Sequence, residues 1–279
     1  MEKTKRCMAA LHEAAPEIEV MVEEPMRRHT TFAIGGPADL FVVPKTPEQL
    51  AKVLQVICDC GLPLLLLGNG SNMLVSDAGY RGAVVCTTEM DDVRAVAENR
   101  LIVQAGALLS RVSRYAQRAG LTGAEFAGGI PGSLGGAVFM NAGAYDGQMA
   151  GIVEQTEYLD GSGTVHTLTG EEHCFAYRGS AFRAHPDWVV LRSVLRLHYP
   201  SAGSTFKRPE GYFAGRLIED AGLKGVSVGA AQVSEKHAGF LINRGGATCE
   251  EMLRLIELVQ QRVREKFGVE LECEVRIIR

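Results

Sequence analysis

Seven glycines lie within the segment Phe126–Gly147, and this density limits what the segment can form. Glycine loses more backbone entropy on folding than any other residue. We therefore expect so many glycines only where the backbone must be free of side chains. The usual needs are close approach of main-chain N–H groups to a phosphate and φ angles above zero in tight turns. A flexible linker is the alternative, but the interleaved apolar residues Ile130, Leu134 and Phe139 argue against it.

Composition indicates an ordinary globular protein. The 279 residues are 46% hydrophobic and 22% charged, which allows two or three domains with sizeable cores. A net charge of −4 argues against nucleic acid or an anionic membrane surface as the main partner.

Seven scattered cysteines without a Cys-x-x-Cys pair are typical of reduced thiols in a cytoplasmic protein without structural zinc. The longest apolar run, at 62–67, is too short to span a bilayer, which needs about 20 residues.

A βαβ unit is predicted near the N-terminus, after a helical lead-in over residues 1–25 that breaks at Pro16. A strand at 40–43 is followed by a helix with Thr46 as N-cap and Gly61 as its end. The apolar run at 63–67 then predicts a buried strand that pairs with the first strand in parallel.

A polar loop, Gly68-Asn69-Gly70-Ser71-Asn72, follows that run. It lacks the third glycine of a Rossmann fingerprint, since Met73 stands there, and Leu74-Val75 is predicted to continue as strand rather than helix. A dinucleotide site of the Rossmann type is therefore disfavoured. A phosphate cradle of another kind and a plain turn both remain open.

The rest of the chain predicts alternating strands and helices. The final helix has the clearest signals, with Thr248 and Glu251 as a capping box and Gly268 as its end. The last residues alternate apolar and charged side chains, which predicts a closing strand over 269–277. The other predicted elements are strands at 83–86, 101–105 and 188–197, a hairpin of 153–159 with 164–168, and helices at 110–118 and 212–221.

Six motifs occur in the order seen in UDP-N-acetylenolpyruvoylglucosamine reductases, and the chain resembles that family from about residue 26 to the end. The two glycine motifs alone resemble only the wider vanillyl-alcohol-oxidase type of flavin fold, and the later motifs make the resemblance specific. The motifs are Gly68-Asn69-Gly70-Ser71-Asn72, Ile130-Pro131-Gly132-Ser133-Leu134-Gly135-Gly136, Asn141-Ala142-Gly143-Ala144-Tyr145, Tyr177-Arg178, Gly203-Ser204-Thr205-Phe206-Lys207 and Glu274-Val275-Arg276.

The resemblance implies an α+β protein with a two-subdomain FAD-binding fold of the vanillyl-alcohol-oxidase type, over 1–80 and 81–197. A smaller α+β substrate-binding domain follows over 198–279. It also implies noncovalent FAD, NADPH as hydride donor and UDP-N-acetylglucosamine enolpyruvate as substrate, with UDP-N-acetylmuramate for peptidoglycan as product. The implied cofactor-binding residues are Gly68, Asn69, Gly70, Ser71, Asn72, Ile130, Pro131, Gly132, Ser133, Gly135, Gly136, Asn141 and Gly143.

Three residues carry the implied chemistry. Ser204 is the proton donor to C2 of the enolpyruvyl group, while Arg178 and Glu274 stabilise the enol and orient the carboxylate. Each has a simpler interpretation: Ser204 as a turn residue, Arg178 as a surface ion pair, and Glu274 as one solvated carboxylate among three. The candidate substrate-binding residues are Lys207, Lys236, His237 and Asn243, followed by the weaker candidates Tyr145 and Arg216.

The chain departs from the family pattern at one place. Members usually carry a basic amphipathic helix between the strand that corresponds to 189–197 and the serine motif, whereas only His198 and Tyr199 precede Pro200 here. Either the helix is absent or its segment has been left out of the sequence. If it is absent, the resemblance no longer implies the placement of Ser204 over the flavin. The length of the chain matches the shorter branch of the family.

The sequence leaves two other functions open. Another noncovalent FAD-linked oxidase, acting on a hydroxy acid or a sugar, is the main alternative. Oxidases of this fold often tether the flavin through a histidine near the first glycine loop, and the chain has none between His29 and His166. A non-catalytic nucleotide-binding module is the third function, and it leaves the Ser204 and Glu274 motifs unexplained. The sequence predicts no oligomeric state.

Overall fold

The computed structural model describes residues 2–278, and the chain divides into two compact units. The first unit contains the residues up to Tyr115 together with Gly123–Leu197. The second unit contains Ala116–Thr122 and the residues from His198 onward. The three-domain division with boundaries at residues 80 and 197 stays a prediction.

A four-stranded sheet with two helices forms the N-terminal part of the first unit. The elements are helix α1 (Glu2–Ala14), strands β1 (Glu19–Pro25) and β2 (Pro37–Val43), helix α2 (Pro47–Cys60), and strands β3 (Leu64–Leu67) and β4 (Tyr80–Cys86). The strand order is β1-β2-β4-β3, with β1 antiparallel to β2 and both β2 and β3 parallel to β4.

The two central strands, β2 and β4, are buried on both faces over most of their length, which explains their apolar sequences. Leu40 and Val42 pack into a cluster with α1 and α2. Phe41 and Val43, which alternate with them, belong to a second cluster with Met26. Helix α2 begins and ends as predicted, because the Thr46 hydroxyl accepts from the Gln49 N–H and Gly61 ends the helix with a φ of 62°.

Three local predictions in this region were wrong. Strand β1 lies where only a helical lead-in was expected, and its exposed and half-buried side chains explain why no apolar pattern marked it. Strands β2 and β3 do not pair directly, since β4 lies between them. Residues Leu74 and Val75 form no strand, and the Leu74 side chain is 70% exposed.

A five-stranded antiparallel sheet completes the first unit, in the order β10-β9-β11-β6-β5. The predicted hairpin is confirmed as β9 and β10. The remaining elements of this part are β5 (Val93–Ala97), β6 (Arg100–Gln104), α3 (Leu109–Arg118), α4 (Leu134–Phe139), the short strands β7 (Gly143–Ala144) and β8 (Gly147–Gln148), β9 (Val153–Leu159), β10 (Val165–Thr169), α5 (Ala181–Ala184) and β11 (Val189–Arg196). Helix α4 packs on β6 and β11.

The second unit is a four-stranded antiparallel sheet with two helices around one apolar cluster. Its elements are β12 (Ser201–Ser204), α6 (Ala214–Asp220), β13 (Ser227–Val228), β14 (Ala231–Val233), β15 (Phe240–Asn243) and α7 (Cys249–Phe267). The capping box of Thr248 and Glu251 is confirmed at the start of α7. Among residues 2–278, no helix combines the length and the apolar character needed to cross a membrane.

The predicted closing strand over 269–277 was wrong as a regular strand. Among the described residues, only an isolated bridge joins Cys273 to Phe206, flanked by backbone bonds from the Glu274 N–H to the Thr205 carbonyl and from the Lys207 N–H to the Glu272 carbonyl. The alternation itself has a physical basis, because Cys273 and Val275 pack on the apolar cluster while Glu272 and Glu274 are exposed.

Candidate active site

The two glycine loops of the first unit lie against each other. The first glycine loop (68–72) follows β3, and the second (130–136) leads into α4. The Asn69 amide donates to the Pro131 carbonyl at 2.6 Å, which joins the two loops directly. A Cβ placed on Gly132 would lie 3.7 Å from the Ser71 hydroxyl oxygen. Asn69 and Pro131 are 62 residues apart in sequence, so two distant segments form one cradle.

Ser133 belongs to the second glycine loop, and its hydroxyl lies against Gly68 of the first. It is 2% exposed, and its hydroxyl has no hydrogen-bond partner among the described residues. A Cβ on Gly68 would come within 2.2 Å of that oxygen, so only glycine fits at this position. A buried hydroxyl without a partner costs free energy unless a ligand satisfies it, and phosphate oxygens are acceptors that can do so. These residues fit the pyrophosphate of FAD.

Two of the predicted cofactor residues have other contacts. The Gly135 N–H donates to the Ala105 carbonyl at 2.8 Å, and a Cβ on Gly135 would lie 3.3 Å from Ala105 atoms, so this glycine allows α4 to pack on the sheet. Asn141 is 3% exposed, and its amide bonds to protein groups on three sides. Cofactor contacts of both residues stay predictions.

Arg178 lies at the tip of a tight turn in the first unit. Ala176 and Gly179 exchange two backbone hydrogen bonds, and Arg178 between them has a left-handed φ of 52°. Its guanidinium donates to the Gly143 carbonyl at 3.3 Å and stacks over the Tyr177 ring. No carboxylate is paired with Arg178 among the described residues, so the surface ion pair is not its role here.

A buried polar chain supports the sheet just before that turn. The Thr156 hydroxyl lies 2.9 Å from both His173 Nε2 and the Ser193 hydroxyl, and His173 Nδ1 lies 3.0 Å from the Gly170 carbonyl. Because a carbonyl only accepts, Nδ1 carries the proton and Nε2 accepts from Thr156. Burial lowers the pKa of His173 below its ordinary value.

A cleft of about 470 Å³ lies in the second unit. We call it the Ser204 cleft. Its size is within the range of small-molecule sites, roughly 300–1,000 Å³. The polar residues around it are Ser204, Arg208, Arg216, Glu219, Lys236, His237 and Glu274. Five of the predicted catalytic and substrate-binding residues thus share one cleft.

Ser204 reaches the cleft through an irregularity in β12. Ser201 pairs with Ile242 and Ser204 with Phe240, so β12 has one more residue than β15 between these pairs. Gly203, in this bulge, has a φ of 82°, which glycine adopts without strain. Backbone bonds from Glu274 to Thr205 and from Lys207 to Glu272 attach the C-terminal segment alongside. They bring Glu274 to the same cleft as Ser204.

Arg208 is a cleft residue that sequence reasoning missed. Residues 204, 206 and 208 line the cleft, whereas the Lys207 ammonium pairs with Glu272. The Arg208 guanidinium lies 3.9 Å from the centre of the Phe213 ring and donates to the Tyr212 carbonyl. In an extended chain, side chains two residues apart point to the same side. Counting in steps of two from Ser204 would therefore have predicted Arg208, and not Lys207, as a cleft residue.

The remaining candidate substrate residues have different surroundings. Lys236 and His237 follow Ser234, whose hydroxyl accepts from both of their N–H groups and fixes the turn at the cleft. Arg216 donates to Asp220 at 2.9 Å, and the Asn243 side-chain oxygen Oδ1 accepts from the Gly245 and Ala247 N–H groups. Tyr145, in the first unit, is 98% exposed.

The comparisons with known proteins cover both units. A model of the FAD binding domain matches residues 38–169, and one of the UDP-N-acetylenolpyruvoylglucosamine reductase C-terminal domain matches residues 195–278. The UDP-N-acetylenolpyruvoylglucosamine reductase of Clostridium botulinum strain 657 is 44% identical over 303 residues, which covers 100% of this chain and 98% of that protein. The chain belongs to the UDP-N-acetylenolpyruvoylglucosamine reductase family. The resemblance found in the motifs is confirmed.

Solved structures agree with this assignment. The UDP-N-acetylenolpyruvylglucosamine reductase of Thermus caldophilus is 35% identical, with a TM-score of 0.53 over 94% of this chain and 99% of that one. A glucooligosaccharide oxidase from Acremonium strictum, 14% identical, reaches a TM-score of 0.51 over 96% of this chain and 60% of its own. It shares the fold alone. The FAD-binding fold of the vanillyl-alcohol-oxidase type, followed by the C-terminal domain of the reductase family, is confirmed.

The alignment with the Clostridium reductase is longer than this chain of 279 residues, so that relative has residues that the chain lacks. Strand β11 ends at Arg196 and β12 begins at Ser201, which leaves no room for a helix between them. The short connection nevertheless allows β12 to pair with β15 and Ser204 to line the cleft.

Proposed function

We propose that the chain reduces UDP-N-acetylglucosamine enolpyruvate to UDP-N-acetylmuramate, a peptidoglycan precursor, with NADPH as the reductant. One observation carries the proposal: Ser204 and Glu274, the two reductase motifs of the C-terminal domain, line one cleft together with cations. In this proposal, residues 1–80 and 81–197 bind FAD, and residues 198–279 bind the substrate. The seven free cysteines support a cytoplasmic location.

The reaction adds a hydride to C3 and a proton to C2 of the enolpyruvyl double bond. Bound FAD supplies the two-electron chemistry that carries the hydride from NADPH to C3. The Ser204 hydroxyl gives the proton to C2, and the bulge at Gly203 holds this hydroxyl at the surface of the cleft. A positioned proton donor contributes about 10²- to 10⁴-fold to such a step.

Charge stabilisation falls to Arg178 and Glu274. Negative charge develops on the enolpyruvyl carboxyl group as the hydride arrives, and a guanidinium that binds it lowers the barrier. Arg178 suits this role because it is exposed and paired with no carboxylate among the described residues. Glu274 orients the donor, and the Ser204 alkoxide left by the transfer takes up a proton from water, which restores the hydroxyl for the next turnover.

The Ser204 cleft binds the nucleotide sugar through cations. Arg208 and Lys236 line the cleft and would bind the two phosphate groups, since charge-assisted hydrogen bonds to phosphate are the stronger kind. His237, Asn243, Lys207, Arg216 and Tyr145 are further candidates for the sugar nucleotide. For the cofactor, the Ser133 hydroxyl and the backbone of both glycine loops would hold the pyrophosphate.

Anaerobic titration of the purified protein tests the proposal. The protein should be yellow, and acid precipitation should release all of the FAD into the supernatant. NADPH should bleach the colour, and stoichiometric UDP-N-acetylglucosamine enolpyruvate should restore it. A colourless protein that takes up no FAD, or a bleached protein that the substrate leaves bleached, would contradict the proposed function.

A further inference from the structure

Residues 141–145 and 174–179 form two neighbouring loops of the first unit, and four of their non-glycine residues, Cys174 among them, lie in the left-handed region. Asn141 has a φ of 42°, Tyr145 of 54° and Arg178 of 52°. Such conformations cluster where a structure holds side chains in place for a purpose. The two loops touch, because the Arg178 guanidinium donates to the Gly143 carbonyl at 3.3 Å. This arrangement raises the question of what fixes the Arg178 turn.

Asn141 joins these loops through its side chain. Its amide nitrogen donates to the Ala176 carbonyl at 3.0 Å and to the Gln148 side-chain carbonyl at 3.2 Å. Its carbonyl oxygen accepts from the Ala150 N–H at 2.9 Å. Both donor hydrogens are thus used inside the protein, and the residue is only 3% exposed.

The bond to Ala176 acts at the base of the Arg178 turn. The Ala176 carbonyl accepts from the Gly179 N–H, which closes the turn, and from Asn141. On the other side of the turn, the Ser180 hydroxyl donates to the carbonyl of Phe139, the last residue of α4. The turn is therefore fixed from both sides to the end of the helix that begins at the second glycine loop.

We infer that Asn141 is a positioning residue for Arg178. The inference rests on the proposed function, in which Arg178 stabilises the developing charge. The position has two requirements: a left-handed backbone, which asparagine tolerates better than most residues, and a side chain with two donors and one acceptor. Aspartate lacks the donors, and glycine lacks the side chain.

A double-mutant cycle with Arg178 tests the inference. The variants are Asn141→Asp, Arg178→Gln and the two combined. Asn141→Asp keeps the acceptor for Ala150 but turns a carboxylate towards the carbonyls of Ala176 and Gln148. Stopped-flow absorbance would follow reduction by NADPH and re-oxidation by the enolpyruvyl substrate as two separate rates.

We expect Asn141→Asp to slow re-oxidation by about tenfold or more, since misplacement by about 1 Å can cost about 10²-fold. Reduction by NADPH and FAD content should stay unchanged. Once Arg178 is replaced, the added Asn141→Asp change should cost no more, because it acts through the lost guanidinium. A purely structural role would instead give additive losses.

Ser193→Ala serves as the matched control, because it removes a buried hydrogen bond in the same unit, to Thr156. It should leave re-oxidation unchanged. If Asn141→Asp does not fold, Asn141→Gly replaces it, since glycine adopts the same φ without an amide.

Normal re-oxidation of the Asn141 variant, or additive losses in the double variant, would overturn the inference. Loss of FAD with normal re-oxidation at saturating FAD would assign Asn141 to cofactor binding instead. Normal re-oxidation of Arg178→Gln alone would remove Arg178 from the proposed mechanism, and the inference with it. That outcome leaves the yellow colour and substrate-dependent re-oxidation of the unaltered protein as they are, so the two failures are distinguishable.

Discussion

At the scale of single residues, the groups proposed to act on the substrate lie where the backbone is irregular. Ser204 follows the bulge at Gly203, and Arg178 has a left-handed φ. The resemblance to the family motifs predicted that both residues take part in the reaction. It could not predict the hydrogen bonds that hold the Arg178 turn, because the bonds from Asn141 to Ala176 and from Ser180 to Phe139 join residues 35 and 41 positions apart.

Replacing Ser204 with alanine should separate the two half-reactions. Reduction by NADPH needs no proton at C2 of the sugar substrate, so its rate should be nearly unchanged. Re-oxidation by the enolpyruvyl substrate should slow by about 10²- to 10⁴-fold, the usual contribution of a positioned general acid. Stopped-flow absorbance measures both rates, and Ser204→Cys, which keeps a proton donor of similar size, should recover part of the loss.

Equal slowing of the two half-reactions would mean that Ser204 shapes the site instead of donating the proton. No slowing of either would mean that another group protonates C2.

His173 should make the stability of the protein depend on pH. Its pKa in the folded protein is lowered by burial from the ordinary 6.5. The unfolded chain therefore takes up the proton first as the pH falls. The stabilising contribution is fully present above pH 6.5 and is lost as the pH falls through the lowered pKa, by at most about 1.4 kcal/mol per pH unit.

Urea unfolding between pH 7.5 and pH 5, roughly the window in which an ordinary histidine titrates, would measure this effect. The free energy of unfolding should fall more steeply with acid in the unaltered protein than in His173→Gln. Parallel curves for the two proteins would show that His173 titrates alike in both states.

At the scale of elements, the sequence predicted helix ends correctly but did not predict which strands pair. The caps of α2 and α7 depend on neighbours three or four residues away, and Thr46 and Thr248 predicted them correctly. The insertion of β4 between β2 and β3 depends on residues far along the chain, so a strand, helix and strand pattern could not specify it. The same limit applies to 269–277, where the alternation of side chains by itself predicts a full strand.

The contact between the two glycine loops can be tested at Gly68. A methyl group there would lie 2.2 Å from the Ser133 hydroxyl oxygen, so Gly68→Ala should lower the free energy of unfolding by about 1–3 kcal/mol and weaken FAD binding. Adding Ser133→Gly removes the atom that the methyl group meets. The double variant should regain stability, but it should not regain FAD affinity, because the buried donor is gone.

Gly151→Ala is the matched control, because a Cβ at Gly151 has no neighbour within 4 Å. FAD fluorescence titration and urea unfolding provide the two measurements. Normal FAD affinity in Gly68→Ala, or no regain of stability in the double variant, would contradict this account of the cradle.

At the scale of the whole molecule, two compact units carry two kinds of site. The first unit has a cradle with a buried, unsatisfied hydroxyl, and the second has a cleft lined by cations and two carboxylates. Family motifs predicted the flavin fold and the reductase family from sequence, and full-length similarity confirmed them. The short connection between β11 and β12 was visible in the sequence, but only the structure showed that β12 still pairs with β15.

The product of a turnover assay tests the central claim most directly. The protein would be incubated with NADPH and UDP-N-acetylglucosamine enolpyruvate, and the nucleotide products would be identified by mass spectrometry. We predict one UDP-N-acetylmuramate, two hydrogens heavier than the substrate, for each NADPH consumed. NADPH oxidation that proceeds equally without the enolpyruvyl substrate and yields hydrogen peroxide, with no UDP-N-acetylmuramate formed, would contradict the account.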